Sequence, residues 1–264
     1  MKKRIDILVF ERGHAKSREK ARVLIIAGLV YANKRQVKLP SEQFEEDVEI
    51  VIKGDFCPYV SRGGLKLEKA LKEFQIVLAG RVCADIGAST GGFTDCMLKN
   101  GASHVYAVDV GYGQFDFGLR NDPRVVVMER TNARYLEALE KPVDFISVDV
   151  SFISLALIFP AILRIGHPQT EVVALIKPQF EAGREKVGKK GVVKSPETHF
   201  KVIDSVLGCA IQNGLYPNAL TYSPVKGPNG NIEFLAHFVA EDENKIKEFD
   251  IEKVVTGAHR KLNL

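Results

Sequence analysis

Cysteine is scarce in this chain of 264 residues, and the four that occur, Cys57, Cys83, Cys96 and Cys209, lie far apart. No two of them have the CxxC spacing of zinc sites and thiol redox motifs, and a disulfide framework needs clustered cysteines. We therefore expect four reduced thiols, as in a cytoplasmic protein, and no bound metal.

Long hydrophobic runs are also absent. The longest nearly apolar stretches, Val23–Ala32 and Ser151–Leu163, are shorter than the roughly 20 residues needed to cross a bilayer. The basic opening Met1–Arg4 is not followed by the apolar core of a signal peptide. These observations predict a soluble protein of the cytoplasm, with no membrane partner.

Negative charge is sparse near the amino terminus. Residues 1–40 contain 11 Lys and Arg but only 3 Asp and Glu, whereas the rest of the chain holds 26 basic and 30 acidic residues. This asymmetry predicts a basic docking module joined to a near-neutral body, with an acidic partner such as nucleic acid or a membrane surface. Taken alone, a charged small domain can equally be a solvated face.

The chain divides by pattern into three blocks. They are residues 1–58, a connector over 59–80, and residues 81–264. In the connector, apolar residues at helical spacing from Leu67 to Phe74 predict an amphipathic helix.

The first block mixes helical and strand-like patterns. Ser17 can cap a short helix that ends at Gly28. Strand-like residues follow at Leu29–Lys34 and Val48–Ile52. The block is therefore predicted to be a small α+β domain.

From residue 81 onward, strand and helix patterns alternate, with the clearest helices at Ser154–Ile165 and Glu197–Gly214. This alternation is typical of a Rossmann-like α/β fold with a mostly parallel sheet. The last two strand candidates, Leu220–Ser223 and Ile232–Val239, predict a C-terminal antiparallel hairpin, a feature that methyltransferases add to such sheets. The predicted parallel strands are Val82–Ile86, His104–Val110, Arg124–Met128, Val143–Val150 and Glu171–Ile176.

A glycine-rich stretch, DIGASTGGFT from Asp85 to Thr94, follows the first of these strands. Glycines let the backbone turn sharply and approach a ligand closely. The stretch is neither the GxGxxG pyrophosphate fingerprint nor a P-loop. Because an acidic residue at the strand end suits a positively charged amino acid, Asp85 is expected to bind the methionine portion of S-adenosylmethionine.

Two further strand ends carry polar groups that suit the same cofactor. Asp109 ends the second strand, where a carboxylate binds ribose hydroxyls, and Asn132 after the third could bind an adenine edge. A glycine-rich turn with a carboxylate is also found in sites for other nucleotides. The candidate cofactor residues are Asp85, Gly87, Ala88, Ser89, Thr90, Gly91, Gly92, Phe93, Asp109, Val110, Asn132 and Asp149.

Four polar residues are candidates for catalysis. Asp149 ends the fourth strand and Lys177 the fifth, Glu233 lies at the start of the last strand, and Lys66 is on the connector helix. Considered singly, a lysine at a strand end is more often a solvated tip, and Asp149 could cap the following helix. Their joint occurrence where a parallel sheet places functional groups favours a site.

Five motifs in order, SRGGLKL, DIGASTGGFTD, VDVSFISL, LIKPQFE and GPNGNIE, resemble the TlyA branch of the FtsJ-type RNA 2′-O-ribose methyltransferases. The resemblance covers nearly the whole chain. It implies S-adenosylmethionine as cofactor, ribosomal RNA or ribosomal subunits as partner, with cytidine riboses as targets, and a Lys–Asp–Lys–Glu tetrad. By motif position the tetrad is Lys66, Asp149, Lys177 and Glu233.

The assignment of the first lysine has two competitors nearby, Lys69 and Lys72. A ribose hydroxyl is a poor nucleophile, and a lysine can remove its proton only if burial or another cation disfavours the charged form. We therefore expect Lys177 to be the base, with the other tetrad members orienting it and the ribose. No metal is required for this chemistry.

The first block similarly resembles the S-four-like RNA-binding module, from Arg4-Ile5-Asp6 through Ala15–Ala21 to Ala27–Val30. It departs from the module where Arg35-Gln36 replaces a glycine-containing turn. The loop at 184–190 is a further basic stretch, either part of the same surface or a mobile loop without a partner. The candidate RNA-binding residues are Arg4, Arg12, Lys16, Ser17, Arg18, Lys20, Arg22, Lys34 and Arg62.

Two other functions stay open at this level. The TlyA branch has also been described as haemolysin-like. A lytic protein would have to be secreted and would act without the cofactor. A non-catalytic RNA-binding factor for ribosome assembly would be favoured by a missing tetrad member or a blocked cofactor loop. The oligomeric state is not indicated by the sequence.

Overall fold

A computed structural model describes residues 2–15, 17–26, 28–53, 57–240 and 249–262. The chain forms two compact units, Met1–Pro58 and Tyr59–Leu264. Lys16, one of the predicted RNA-binding residues, and Ala27 in the S-four-like stretch lie outside the described residues.

The first unit is a small α+β domain. Two antiparallel sheets, β3-β2-β5 and β1-β4, accompany the two helices. A small core joins them, with Ile5, Val9, Ile25 and Val30 at most 1% exposed. The elements are β1 (Lys2–Arg4), α1 (Ile5–Glu11), α2 (Arg18–Ile26), β2 (Val30–Ala32), β3 (Arg35–Gln36), β4 (Gln43–Glu45) and β5 (Ile50–Ile52).

The second unit is a seven-stranded sheet with helices on both faces. Its strands are β6 (Val82–Ile86), β7 (His104–Val108), β8 (Val125–Met128), β9 (Val143–Val148), β10 (Gly166–Ile176), β11 (Tyr216–Tyr222) and β12 (Phe234–Val239). Its helices are α3 (Gly63–Phe74), α4 (Gly92–Lys99), α5 (Phe117–Arg120), α6 (Phe159–Ile165), α7 (Pro178–Glu181), α8 (Pro196–Gln212) and α9 (Ile251–Leu262).

The order of the strands, β11-β12-β10-β9-β6-β7-β8, places a topological switch point between β6 and β9. Ligands of open α/β sheets bind at such a point, beyond the carboxyl ends of the strands. The strands from β10 to β8 are parallel, and β12 lies antiparallel between β10 and β11. The predicted mostly parallel sheet with antiparallel C-terminal strands is confirmed.

Several local features differ from the predictions, among them β11, which begins at Tyr216 rather than at Leu220. The helix expected over Ser154–Ile165 is divided into a 3-10 turn, Leu155–Leu157, and α6, because Pro160 fits only the first turn of a helix. Strand β10 begins at Gly166, ahead of the expected start, and its pairing with β9 shifts register before Glu171. Helix α9 was not expected.

Both faces of the sheet are packed with apolar side chains. Phe159 and Phe238 lie in the core on one side of the sheet, and Phe145 and Leu175 in the core on the other. All four cysteines are thiols outside any disulfide. Within the described residues, no helix is long and apolar enough to cross a membrane, and no three His, Cys, Asp or Glu are grouped as a metal site would need.

Candidate active site

The glycine-rich loop between β6 and α4 lies at the switch point of the sheet. Gly87 has φ +87°, and a Cβ there would come within 2.5 Å of the Asp149 carbonyl oxygen. Gly91, with φ +93°, is the residue that caps α4. Both positions therefore need glycine, as the sequence predicted for a loop that brings the backbone close to a ligand.

A second close approach fixes the connector helix α3 against this loop. A Cβ on Gly92 would overlap the Ser61 hydroxyl and lie 3.0 Å from the Gly64 nitrogen. A Cβ on Gly64 would in turn overlap the ring of Tyr59. The two glycines let the start of α3 lie directly on the loop, and this contact sets where Lys66 points.

Asp85 is fully buried and holds the loop to α4. Its Oδ2 accepts hydrogen bonds from the Thr94 backbone (2.8 Å) and hydroxyl (2.6 Å), and its Oδ1 accepts one from Ser147 (3.1 Å). Burial raises the pKa of Asp85 to about 7. Asp85 lines neither of the two pockets described next, so its expected contact with the methionine portion stays a prediction.

The first pocket, here called the Asp109 pocket, lies beyond β7 and has a volume of about 430 Å³. Asp109 accepts backbone hydrogen bonds from Ser89 (2.8 Å) and Gly111 (2.6 Å). Asn132 lines the same pocket and accepts a hydrogen bond from the Arg134 nitrogen at 3.1 Å. The apolar part of the wall is formed by Val110, Phe152, Ile153 and Ile158.

The Asp109 pocket fits the adenosine half of S-adenosylmethionine. A carboxylate has more acceptor positions than two backbone hydrogen bonds use, so Asp109 can also accept ribose hydroxyls. The apolar wall beside Asn132 matches a flat base with a polar edge. Gly87 and Ser89 line this pocket and also the next one, so a single ligand can extend from one into the other.

The second pocket, here called the tetrad pocket, has a volume of about 470 Å³ and contains three of the four predicted catalytic residues, Lys66, Asp149 and Lys177. The Lys177 ammonium lies 2.6 Å from Asp149 Oδ1 and donates a hydrogen bond of 2.9 Å to the Ser151 hydroxyl. Lys177 is 8% exposed. It is therefore not a solvated tip, and Asp149 faces a lysine rather than capping a helix.

The fourth predicted residue, Glu233, is fully buried beneath this pocket. Its Oε2 lies 2.6 Å from the Lys66 ammonium, and its Oε1 accepts a hydrogen bond of 3.5 Å from Gln179. A Cβ on Gly227 would overlap Oε1. The close approach of the GPNGNIE loop thus confines the carboxylate to the side that faces Lys66.

The neighbouring lysines do not meet Glu233. Lys69 donates a hydrogen bond of 2.6 Å to the Tyr222 carbonyl, and its ammonium lies 3.5 Å from the centre of the Tyr222 ring. Lys72 is exposed on the last turn of α3. Of the three candidates, the structure pairs Lys66 with the buried carboxylate.

Two residues at this site were not singled out from the sequence. Ser151, the hydroxyl partner of Lys177, follows Asp149 within the VDVSFISL motif, so its position was a usable signal. Phe152 has φ +64° and a ring that is 90% exposed at the mouth of the Asp109 pocket. No spacing pattern predicts that conformation.

In the first unit, part of the predicted basic surface is bound internally. Arg4 and Arg18 both pair with the buried Asp6 at 3.0 Å. Burial raises the pKa of Asp6, but the hydrogen bonds from the two arginines outweigh burial and hold it below its usual value. Arg12 donates hydrogen bonds to the Glu46 and Val48 carbonyls.

The other predicted RNA-binding residues differ in their surroundings. The Ser17 hydroxyl accepts a hydrogen bond from the Lys20 nitrogen at 3.2 Å and so caps α2, as expected. Lys20, Arg22 and Lys34 are exposed. Arg62 belongs to the second unit and lines the tetrad pocket.

Comparison with known proteins identifies the family. Residues 59–239 match the model of the FtsJ-like methyltransferases, and residues 3–50 match that of the S4 domain. The chain belongs to the FtsJ-like methyltransferase family. The resemblance inferred from the five motifs and from the basic first block is thereby confirmed.

Several relatives match this chain over nearly its whole length. The chain is 41% identical over 258 residues to the 16S/23S rRNA (cytidine-2′-O)-methyltransferase TlyA of Mycobacterium tuberculosis, covering 97% of this chain and 96% of the relative. It is 47% identical over 268 residues to YqxC of Bacillus subtilis, named as a candidate rRNA methyltransferase, with 99% and 95% covered. A solved structure from Streptococcus thermophilus, described as a candidate hemolysin, superposes with a TM-score of 0.77 at 45% identity, covering 99% of this FtsJ-like chain and 97% of that one.

Proposed function

We propose that this chain is an S-adenosylmethionine-dependent methyltransferase that modifies the 2′-hydroxyl of cytidines in ribosomal RNA. The observation that carries the proposal is the pairing of the buried Lys177 with Asp149, in a pocket that shares its glycine loop with the Asp109 pocket. The activity named for the TlyA relative and the S4 match over residues 3–50 support the choice of substrate.

S-adenosylmethionine, when bound, supplies the methyl group that the ribose oxygen receives. Gly87 and Ser89 shape the backbone around it, and Asp109 and Asn132 bind its ribose and adenine. Asp85 keeps the loop in place through Thr94 and Ser147. These residues position the cofactor and take no part in proton transfer.

Lys177 accepts the proton that the ribose hydroxyl loses as the methyl group arrives. The amine first releases to solvent, through the open pocket, the proton that it carries in the ion pair with Asp149. It then takes the hydroxyl proton and ends the step protonated at Nζ, while the bond from the methyl group to sulfur breaks and its electron pair stays on the sulfur. Asp149 and Ser151 hold Nζ from two sides, so the lone pair has one direction left toward the substrate. Such positioning supplies much of the acceleration of an in-line displacement.

Lys66 and Glu233 orient the substrate. Lys66 lines the tetrad pocket and can donate to the ribose, because one of its three protons faces Glu233 and two remain. Glu233 is too deeply buried to meet RNA directly, so it acts through Lys66. We propose that the S4 unit holds rRNA or a ribosomal subunit, and that the protein works in the cytoplasm, where ribosomes are.

The test is transfer of labelled methyl from S-adenosylmethionine to isolated ribosomal subunits, comparing the wild type with Lys177→Ala. We expect label on ribose, recognised by resistance of the linkage to alkali, and its loss in the variant. Binding of S-adenosylmethionine by both proteins is the control for folding. A folded, cofactor-binding wild type that labels no rRNA would overturn the assignment and favour a scaffold role.

A further inference from the structure

A third pocket, here called the lysine pocket, lies on the second unit beside the GPNGNIE loop and has a volume of about 860 Å³. Its charged lining consists of Lys186, Lys189, Lys190, Lys194 and Lys226, joined by His259. No Asp or Glu is part of this lining among the described residues. A concave surface with charges of one sign concentrates its field and attracts counter-ions.

The loop that carries these lysines rests on a fixed frame. Asn231 is 1% exposed; its side chain accepts a hydrogen bond from the Val193 nitrogen at 3.1 Å and donates one of 2.9 Å to the Gly191 carbonyl. His199, fully buried on α8, bonds the Val193 carbonyl through Nε2 at 3.1 Å. The ammonium groups therefore extend from a backbone anchored at its base, rather than from a loose loop.

The same frame connects the lysine pocket to the catalytic residues. Lys226 lines both the lysine pocket and the tetrad pocket. Asn231, which anchors the lysine loop, lies two residues before Glu233 and accepts a hydrogen bond of 2.9 Å from Gly227. The two pockets are thus neighbours that share Lys226.

We propose that the lysine pocket binds backbone phosphates of the RNA strand next to the nucleotide whose ribose enters the tetrad pocket. The inference rests on the proposed function, since it gives the substrate of that site a path across the second unit. Phosphates are the abundant anions of RNA, and lysine binds them as a point charge without reading sequence. The pocket therefore sets the register of the strand and leaves the choice of base to other contacts.

The first test compares two double variants of the full chain. Lys189→Gln/Lys190→Gln removes two charges from the lysine pocket, whereas Lys201→Gln/Lys253→Gln removes two exposed charges from α8 and α9 outside it. Methyl transfer to isolated ribosomal subunits is measured at several salt concentrations. We expect the pocket variant to have a KM for subunits that is about tenfold higher. We also expect log(kcat/KM) to fall less steeply with log salt, with the magnitude of the slope smaller by about one to two.

The second test uses His259 as a local probe and needs no catalysis. His259 Nε2 lies 2.9 Å from His199 Nδ1, and burial, with the nearby Lys226, lowers its pKa. A phosphate seated in the pocket favours the protonated ring, so the NMR titration of His259 should move to higher pH. A short single-stranded oligoribonucleotide should do this at lower concentration than inorganic pyrophosphate, because several phosphates bind together.

The outcomes of these tests distinguish failure of the lysine-pocket proposal from failure of the proposed function. If the pocket variant matches its control in both KM and salt dependence, the inference is wrong even though methyl transfer stands. If the wild type transfers no methyl to rRNA, the proposed function falls, and the His259 titration decides the pocket alone. Equal responses of His259 to pyrophosphate and oligoribonucleotide would overturn RNA as the ligand in favour of a small anion.

Discussion

The Lys66 ammonium and the Glu233 carboxylate lie 2.6 Å apart, although 167 positions separate them in the chain. Lys66 is 8% exposed and Glu233 is fully buried. Breaking a buried pair by removing one partner leaves an uncompensated charge, which costs far more than the pair itself contributes. The Lys66–Glu233 ion pair thus links the connector helix α3 to the sheet. Its contribution to stability can be tested by removing each charge.

Glu233→Gln should lower the stability of the second unit by about 3–5 kcal/mol, because Lys66 then lies buried without a counter-charge. The double variant Lys66→Met/Glu233→Leu should lose less, since no charge is left behind. Glu252→Gln, on the exposed side of α9, is the matched control and should change little. Urea unfolding of Lys66→Met, Glu233→Leu and the double variant gives the coupling energy, and additive effects of these two single changes would contradict the pairing.

Gly227→Ala should reduce methyl transfer about 100-fold while leaving the bound cofactor in place. The added Cβ overlaps Glu233 Oε1, so the carboxylate must move and Lys66 with it. Displacements of about 1 Å at a site can cost this much in rate. Gly208→Ala on α8 meets nothing within 4 Å and should keep full activity. The measurement is kcat with S-adenosylmethionine affinity determined in parallel.

Asp85→Asn should stabilise the protein increasingly as the pH rises. Burial raises the folded pKa of Asp85 to about 7 from an ordinary value near 3.8. The carboxyl's contribution to stability is therefore fully present below pH 4 and is lost as the pH rises through 7. A difference of about three units between the folded and the unfolded pKa corresponds to about 4 kcal/mol of unfolding free energy. Asn avoids this loss because it carries no charge, and its side-chain oxygen can still accept a hydrogen bond from Thr94. Unfolding measured at pH 4, 5.5 and 7.5 tests this, and a pH-independent difference would refute it.

Substituting two basic residues of the first unit should affect two different properties, stability for Arg12 and RNA binding for Arg22. Arg12→Gln should destabilise the unit by about 1–2 kcal/mol, because its hydrogen bonds to the Glu46 and Val48 carbonyls are lost. Arg22→Gln, at an exposed position, should leave stability unchanged and weaken RNA binding, with a salt slope smaller by about one. Thermal unfolding and RNA binding at several salt concentrations separate the two effects. Equal loss of affinity without any change in stability would contradict the structural role of Arg12.

The sequence predicted the parts of the site that depend on strand ends. Asp149 and Lys177 directly follow the mostly apolar ends of β9 and β10, so their polarity marked them without knowledge of the fold. The choice between Lys66 and Lys69 could not be made from periodicity, because residues three apart on a helix share a face. The structure distinguishes them by their partners, because Lys66 pairs with Glu233 whereas Lys69 binds the Tyr222 carbonyl.

Other features depend on contacts that no local pattern records. The insertion of β12 between β10 and β11 is a pairing across the sheet, so the sequence predicted the hairpin but not its neighbours. The pairing of Asp6 with Arg4 and Arg18 likewise depends on how α2 packs beside the start of α1, and both arginines therefore bind an internal carboxylate rather than forming a free basic face. Helix α9 was a different case, since the helical spacing of Ile251, Val255 and Ala258 was present and overlooked.

The position of β12 has a consequence for biosynthesis. Because this strand is antiparallel to its neighbour β10, its first residues lie at the same edge of the sheet as Asp149 and Lys177, and Glu233 joins them from late in the chain. During translation, the first unit, the glycine-rich loop, Lys66 and Lys177 are all synthesised before Glu233. The growing polypeptide can fold its amino-terminal domain early, but it stays without a complete tetrad until the start of β12 has been synthesised.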